Sequence, residues 1–164
     1  MDRHIALTLV LLGSMQLTAA TEHKELLVHF EKDSASLDEL AVEELNAFLT
    51  ALPISGDYHF TVEGHTDSDG SLAYNDTLSD SRATAVRAYL VRHGADPALV
   101  DIGYRGERRP LASNANAVGM ALNRRVRITF TRYTFANTDE LRHALSEGST
   151  QTFVLAPDRD QVVQ

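Results

Sequence analysis

The chain contains no cysteine. That absence removes disulfides, zinc–thiolate sites, cysteine nucleophiles and lipid attachment through an N-terminal cysteine. Basic residues are scarce in the first half: residues 21–80 hold two bases against 14 acids. Residues 81–164 reverse the bias, with 12 bases and eight acids. The formal net charge of −8 makes nucleic acid a poor partner, because that affinity rests on neutralising phosphates. No apolar run reaches the roughly 20 residues that a transmembrane helix requires, so no transmembrane anchor is expected. There is no biased tract and no internal repeat, which argues against disorder and against a solenoid. What remains is ordinary for a globular chain: 43% hydrophobic and 23% charged residues over 164 positions, enough for one domain with one core.

The N-terminus has the order of a secretory signal. Arg3 precedes an apolar run from Ile5 to Leu12, and Leu17-Thr18-Ala19-Ala20 offers a cleavage site after Ala20. Three segments are therefore expected: a signal peptide at 1–20, a folded domain at 21–133 and a C-terminal extension at 134–164. Within the domain, Glu25–Phe30 alternates as a strand. Asp33 or Ser34 offers an N-cap for a helix from Leu37 to Leu52, which Pro53 closes. Tyr58–Glu63 alternates cleanly as a second strand. A polar loop, Gly64–Ser71, leads into a long helix from Leu72 to His93 with Gly94 as its stop and Ala83, Val86 and Leu90 as its core stripe. Asp96-Pro97 starts one helical turn. Val100–Tyr104 is a third strand, Gly106–Gly119 a long loop, and Arg125–Thr131 a fourth strand. The fold class is α+β, a β-α-β-α-β-β sandwich with two long helices on one face of a mixed sheet. In the extension, Thr138–Glu147 suggests a short helix, Thr152–Leu155 a strand, and the last residues a frayed tail.

The chemistry concentrates in Gly64-His65-Thr66-Asp67, Asp69-Gly70, Tyr74-Asn75, Leu78-Ser79 and Arg82-Ala83. Asn75, Ser79, Arg82 and Val86 follow helical spacing, so they share one stripe, with Leu78 beside it. Three readings are open on the residues alone. His59, His65, Asp67 and Asp69 could hold a metal, although a calcium loop opening at His65 would have the wrong first residue and would place Asp76 at its twelfth position. His65 and Asp67 could act as an acid–base pair in a wall-modifying or metal-dependent enzyme. An aspartate and an arginine could also simply tie a loop to a helix.

Those motifs resemble the OmpA-like peptidoglycan-binding family. Phe30, Ser34, Ala35 and Leu37 are similar to its opening motif. Gly103-Tyr104-Arg105-Gly106-Glu107, Pro110 and Asn123-Arg124-Arg125-Val126 are similar to its closing ones. The resemblance implies a non-catalytic module without cofactor or metal, which binds peptidoglycan through the diaminopimelate of its peptide stems. It further implies that Asp67 and Arg82 hold the zwitterionic end of that residue, an ammonium on the carboxylate and a carboxylate on the guanidinium fork. Thr66, Asn75 and Leu78 would shape the pocket. Asn123, Arg124 and Arg125 would tie the last strand to the loops, with room for one arginine to face the site. The implied location is the periplasm, in association with the outer membrane. The stretch after Tyr133 lies beyond the resemblance; it could add a strand to a sheet edge or dock an envelope protein. A domain of this fold that has lost its ligand and only docks partners is the remaining alternative.

Overall fold

The computed structural model describes residues 19–54 and 57–135. The expected signal segment, apart from Ala19 and Ala20, lies outside the described residues. So do the helix expected at Thr138–Glu147, the strand expected at Thr152–Leu155 and the terminal tail. Thr21–Thr134 form one compact unit. The elements run β1 (Ala19–His29), α1 (Glu39–Thr50), β2 (Asp57–Gly64), α2 (Leu72–Arg92), a 3-10 turn at Pro97–Leu99, β3 (Val100–Tyr104), α3 (Ala117–Asn123) and β4 (Arg125–Phe135).

The four strands form one mixed sheet in the order β1-β4-β2-β3. β2 and β3 are parallel, joined by α2, because parallel neighbours need a crossover longer than a hairpin. β4 runs antiparallel to β2, from Asp57 against Tyr133 to Gly64 against Val126. At one end of the other pair, the Phe30 N–H donates to the Arg124 carbonyl at 2.9 Å. At the other end, His23 Nδ1 lies 3.1 Å from the Thr131 hydroxyl. β1 and β4 therefore also run in opposite directions. β4, the last of the described strands in sequence, thus occupies the interior of the sheet.

Alternation decides which face is dry. Tyr58, Phe60 and Val62 of β2 and Val126, Ile128 and Phe130 of β4 point to the side where Ala41 and Leu45 of α1 and Ala83, Val86 and Leu90 of α2 pack. Three rings, Tyr58, Phe60 and Phe130, meet there with centroids 5.1–5.9 Å apart. The other face is polar and carries an alternating row of charges across β1, β4 and β2 to the residue that follows β3. Glu25 of β1 reaches Arg127 of β4 at 3.5 Å. Arg127 stands in register with Glu63 of β2. Glu63 in turn accepts from Arg105, just past β3, at 2.5 Å. Opposite charges side by side on neighbouring strands each add a few tenths of a kcal/mol, to about 1 kcal/mol.

Local chemistry shifts several boundaries. The cap of α1 is Asp38, whose Oδ1 accepts from the Ala41 N–H at 2.8 Å; Asp33 and Ser34, the expected caps, lie in the preceding loop. Asp33 takes a left-handed φ of 54° there, and the Ser34 hydroxyl accepts from Ser36. β1 and β4 are longer than expected, since their outer residues pair through backbone without an alternating pattern. The long loop after β3 contains α3, which the sequence reading missed. Asn116 caps it, its Oδ1 accepting from Gly119 N–H at 2.8 Å. The glycine that hides this helix is required: a Cβ on Gly119 would come within 1.9 Å of the Ser113 carbonyl oxygen.

The same constraint holds at Gly64, where β2 ends against α2. A Cβ there would lie 1.9 Å from the Ser79 carbonyl oxygen, which is helix backbone and cannot swing away. Gly64→Ala is expected to destabilise the domain by about 2 kcal/mol or more in urea denaturation. Gly103→Ala, whose Cβ would meet nothing within 4 Å, is the control and should change stability by less than about 0.5 kcal/mol.

Candidate ligand-binding site

The site is built where the C-terminal end of β2 turns into α2. The loop is pinned on both sides: the His65 N–H donates to the Arg125 carbonyl at 2.9 Å and the Thr66 N–H to the Gly106 carbonyl at 3.0 Å. Ser71 then caps α2, accepting from Tyr74 N–H at 3.2 Å. Between them Asp67 is drawn inward to 4% exposure. One of its carboxylate oxygens accepts from the Asp69 N–H at 3.2 Å, an Asx turn. The other accepts from Arg124 Nη1 at 3.0 Å.

Arg82 lies behind this pair, on α2, with 0% exposure. Its Nε donates to the Ser34 carbonyl at 2.7 Å, its Nη1 to His65 at 3.0 Å and its Nη2 to Glu31 at 3.0 Å. The guanidinium also lies 5.3 Å from the centre of the Phe30 ring. Burial lowers the Arg82 pKa to about 10, with Asp67 opposing the shift, so it stays charged at neutral pH. Three bonds leave two of its five N–H groups for other acceptors. The loop that Arg82 grips, residues 31–36, is held from outside as well. Lys32 reaches Asp69 at 2.8 Å and the Tyr74 hydroxyl donates to Asp33 at 3.1 Å.

Asn75 closes the far side. Its Nδ2 donates to Glu107 at 2.5 Å and to the Asp67 carbonyl at 3.4 Å. Asn75 Oδ1 and the Thr66 hydroxyl are buried without a protein partner. Arg108 binds Asp76 through both guanidinium nitrogens, clamping the loop after β3 onto α2 and holding the Asp76 carboxyl below its usual range. Leu78 is half-buried beside the stripe.

Four of the five expected site residues, Thr66, Asp67, Asn75 and Arg82, are brought together, but they do not play equal parts. Asp67, Thr66 and Asn75 form one buried polar cluster. Arg82 braces that cluster from behind. The residue that directly faces Asp67 is Arg124, with 17% of its side chain exposed. Its pairing with Asp67 spans 57 residues of sequence, and no local spacing announces it. Asn123 and Arg125 tie loops: Asn123 makes four hydrogen bonds to the 111–114 segment, and Arg125 donates to the carbonyls of Asn123 and Arg109.

The metal and acid–base readings do not find their geometry. Among the described residues no three His, Asp or Glu side chains gather as metal ligands. His59 pairs with Asp101 at 3.2 Å instead. His65 makes no hydrogen bond to Asp67; both its ring nitrogens are buried without a partner. Burial, reinforced by Arg125, lowers the His65 pKa to about 4.

With the geometry in place, the comparisons identify the family. The OmpA family model matches residues 29–124, and the chain belongs to that family. It is 44% identical over 104 residues to outer membrane porin F of Pseudomonas aeruginosa, covering 60% of this chain and 29% of the porin. It is 38% identical over 100 residues to the peptidoglycan-associated lipoprotein of the same organism, covering 61% of this chain and 59% of the lipoprotein. The chain therefore spans less than two thirds of both relatives. Its fold is similar to the crystal structure of the peptidoglycan-associated lipoprotein from Burkholderia pseudomallei, with a TM-score of 0.60 at 29% identity over 63% of this chain and 88% of that one.

His65 gives a pH prediction. Its folded pKa, about 4, lies below the unfolded value of 6.5, so unfolding takes up a proton between these values. The stability from this group is full above pH 6.5 and is lost as pH falls towards 4, on the order of 2–3 kcal/mol. Urea midpoints measured from pH 7 to 4 in the wild type and in His65→Gln should show the variant losing less stability across that window.

Proposed function

We propose that this domain binds peptidoglycan non-covalently by taking the zwitterionic end of a diaminopimelate stem residue at Asp67, and that it catalyses no reaction. One observation carries the reading: in a member of the OmpA family, a buried carboxylate is countered directly by one partly exposed arginine that a ligand ammonium can replace. Asp67 receives the ammonium. Arg124, released from Asp67, and the two unspent N–H groups of Arg82 take the carboxylate. The Thr66 hydroxyl and Asn75 Oδ1 are free to complete the hydrogen bonds, and Leu78 covers the aliphatic chain. The names of the relatives, a peptidoglycan-associated lipoprotein among them, support the wall as the ligand.

The location that suits this function is the periplasm, near the outer membrane. The signal-like order of residues 1–20 supports export. No helix among the described residues is long and apolar enough to cross a membrane. Residues 134–164, beyond the family match, are the segment we assign to an envelope partner.

The test is co-sedimentation of the chain with diaminopimelate-type sacculi, with free meso-diaminopimelate as competitor. Arg82→Ala would remove a brace of the fold, so the informative variants are Asp67→Ala and Thr66→Val. Asp67→Ala is expected to weaken binding by about 30-fold or more, the effect of removing one partner of a desolvated charge pair. Thr66→Val should weaken it by about tenfold with an unchanged circular dichroism spectrum. Wild-type protein that stays in the supernatant, or pellets equally with lysine-type sacculi, would overturn the diaminopimelate assignment.

A further inference from the structure

An open groove of about 540 Å³ runs between α1 and α3, beside the buried cluster at Asp67. Leu40 of α1 stands on one side, and Val118 and Leu122 of α3 on the other. These side chains are 63%, 72% and 40% exposed, on helices already anchored by buried Ala41, Leu45, Gly119 and Asn123. Large apolar side chains facing each other across a groove form a contiguous patch, which a monomer rarely leaves bare, unlike singly scattered ones.

The rim indicates what covers it. Glu31, Asp38 and Glu44 line the groove. Among the described residues none of the three is in an ion pair with lysine or arginine. His29 and Arg124 are the basic side chains on the lining, and Arg124 is already countered by Asp67. The surface is thus apolar in the middle and negative at its edge. That charge attracts a cationic segment and repels an acidic one; a second copy of the same face would set acids against acids. α1, with 12 residues, extends about 18 Å, which matches a docked helix of about three turns.

We propose that this groove docks a basic amphipathic helix of another protein. The apolar stripe of that helix packs between Leu40 and the Val118–Leu122 wall, while its lysines or arginines face Glu31, Asp38 and Glu44. The groove meets the ligand cluster at Arg124, which belongs to both, but Leu40, Val118, Leu122 and the three acids take no part in the proposed wall binding.

The experiment uses the full chain and two labelled synthetic helical peptides, read by fluorescence anisotropy at low and physiological ionic strength. Both peptides carry leucine along one face; one has lysine on the other face, the second has glutamate there. The lysine peptide should bind, more weakly as salt rises, and the glutamate peptide should not. Leu40→Ser with Val118→Ser, at exposed positions that leave the core untouched, should weaken the lysine peptide by about tenfold or more. Glu44→Lys should weaken it too and raise affinity for the glutamate peptide. The proposal fails if neither peptide binds, if both bind alike, or if the double serine variant binds as well as the wild type. It also fails if sedimentation shows the chain dimerising through this face, with the dimer lost in the serine variant, because the occupant is then a second copy.

Discussion

Arg82 places a full positive charge where no water reaches it, and the rest of the site is arranged around that charge. Burying an unpaired cation would cost several kcal/mol, so the protein surrounds it with acceptors. The carbonyls of Glu31, Ser34 and His65 belong to two different loops, and all three converge on one side chain of α2. A lysine has no planar fork to meet three diverging carbonyls at once. The bonds therefore fix the loop after β1 over the start of α2 and hold the loop after β2 at the depth where Asp67 sits. Under the proposed function, binding chemistry and folding would be joined in this one guanidinium, and its removal would disturb both.

Asp67 and Arg124 add a second, weaker constraint on top of the first. Their pair keeps the carboxylate neutralised, and under the proposed function an incoming ammonium would have to compete with it. Arg124 comes from the junction of α3 and β4, and its Nε also donates to the Phe30 carbonyl at 3.2 Å. The group facing Asp67 is thereby tied to the edge of the opening strand. A ligand that drew Arg124 away, as the proposed function requires, would act on that junction directly.

Much of this was legible in the sequence, and the remainder was hidden for physical reasons. The spacing of Asn75, Ser79, Arg82 and Val86 put them on one stripe, and all four are buried together. Strict alternation at Tyr58–Glu63 and Arg125–Phe130 identified the inner face of β2 and β4. α3 was concealed because Gly119 weakens any helical reading, yet only glycine fits against Ser113. The first residues of β1 alternate no apolar side chains, since an edge strand can be held by backbone pairing alone. Arg124 could be named as a candidate but not chosen over Arg125, because the two stand at the turn from α3 into β4, and the sequence does not say which of them faces Asp67. Arg82 was legible as important, whereas its role as a brace emerges only from the carbonyls around it.

The placement of β4 has a consequence for how the chain acquires its structure. β1 and β2 are parallel strands that never touch; the strand between them is the last of the four described strands in sequence. Until residues up to about Phe130 are available, the chain holds a βαβ unit and a detached first strand, with no continuous sheet to bury the aromatic cluster. Contacts of such long sequence separation slow folding. A chain made from its N-terminus cannot close this sheet until β4 is available, so the aromatic cluster of Tyr58, Phe60 and Phe130 forms only after that strand is in place.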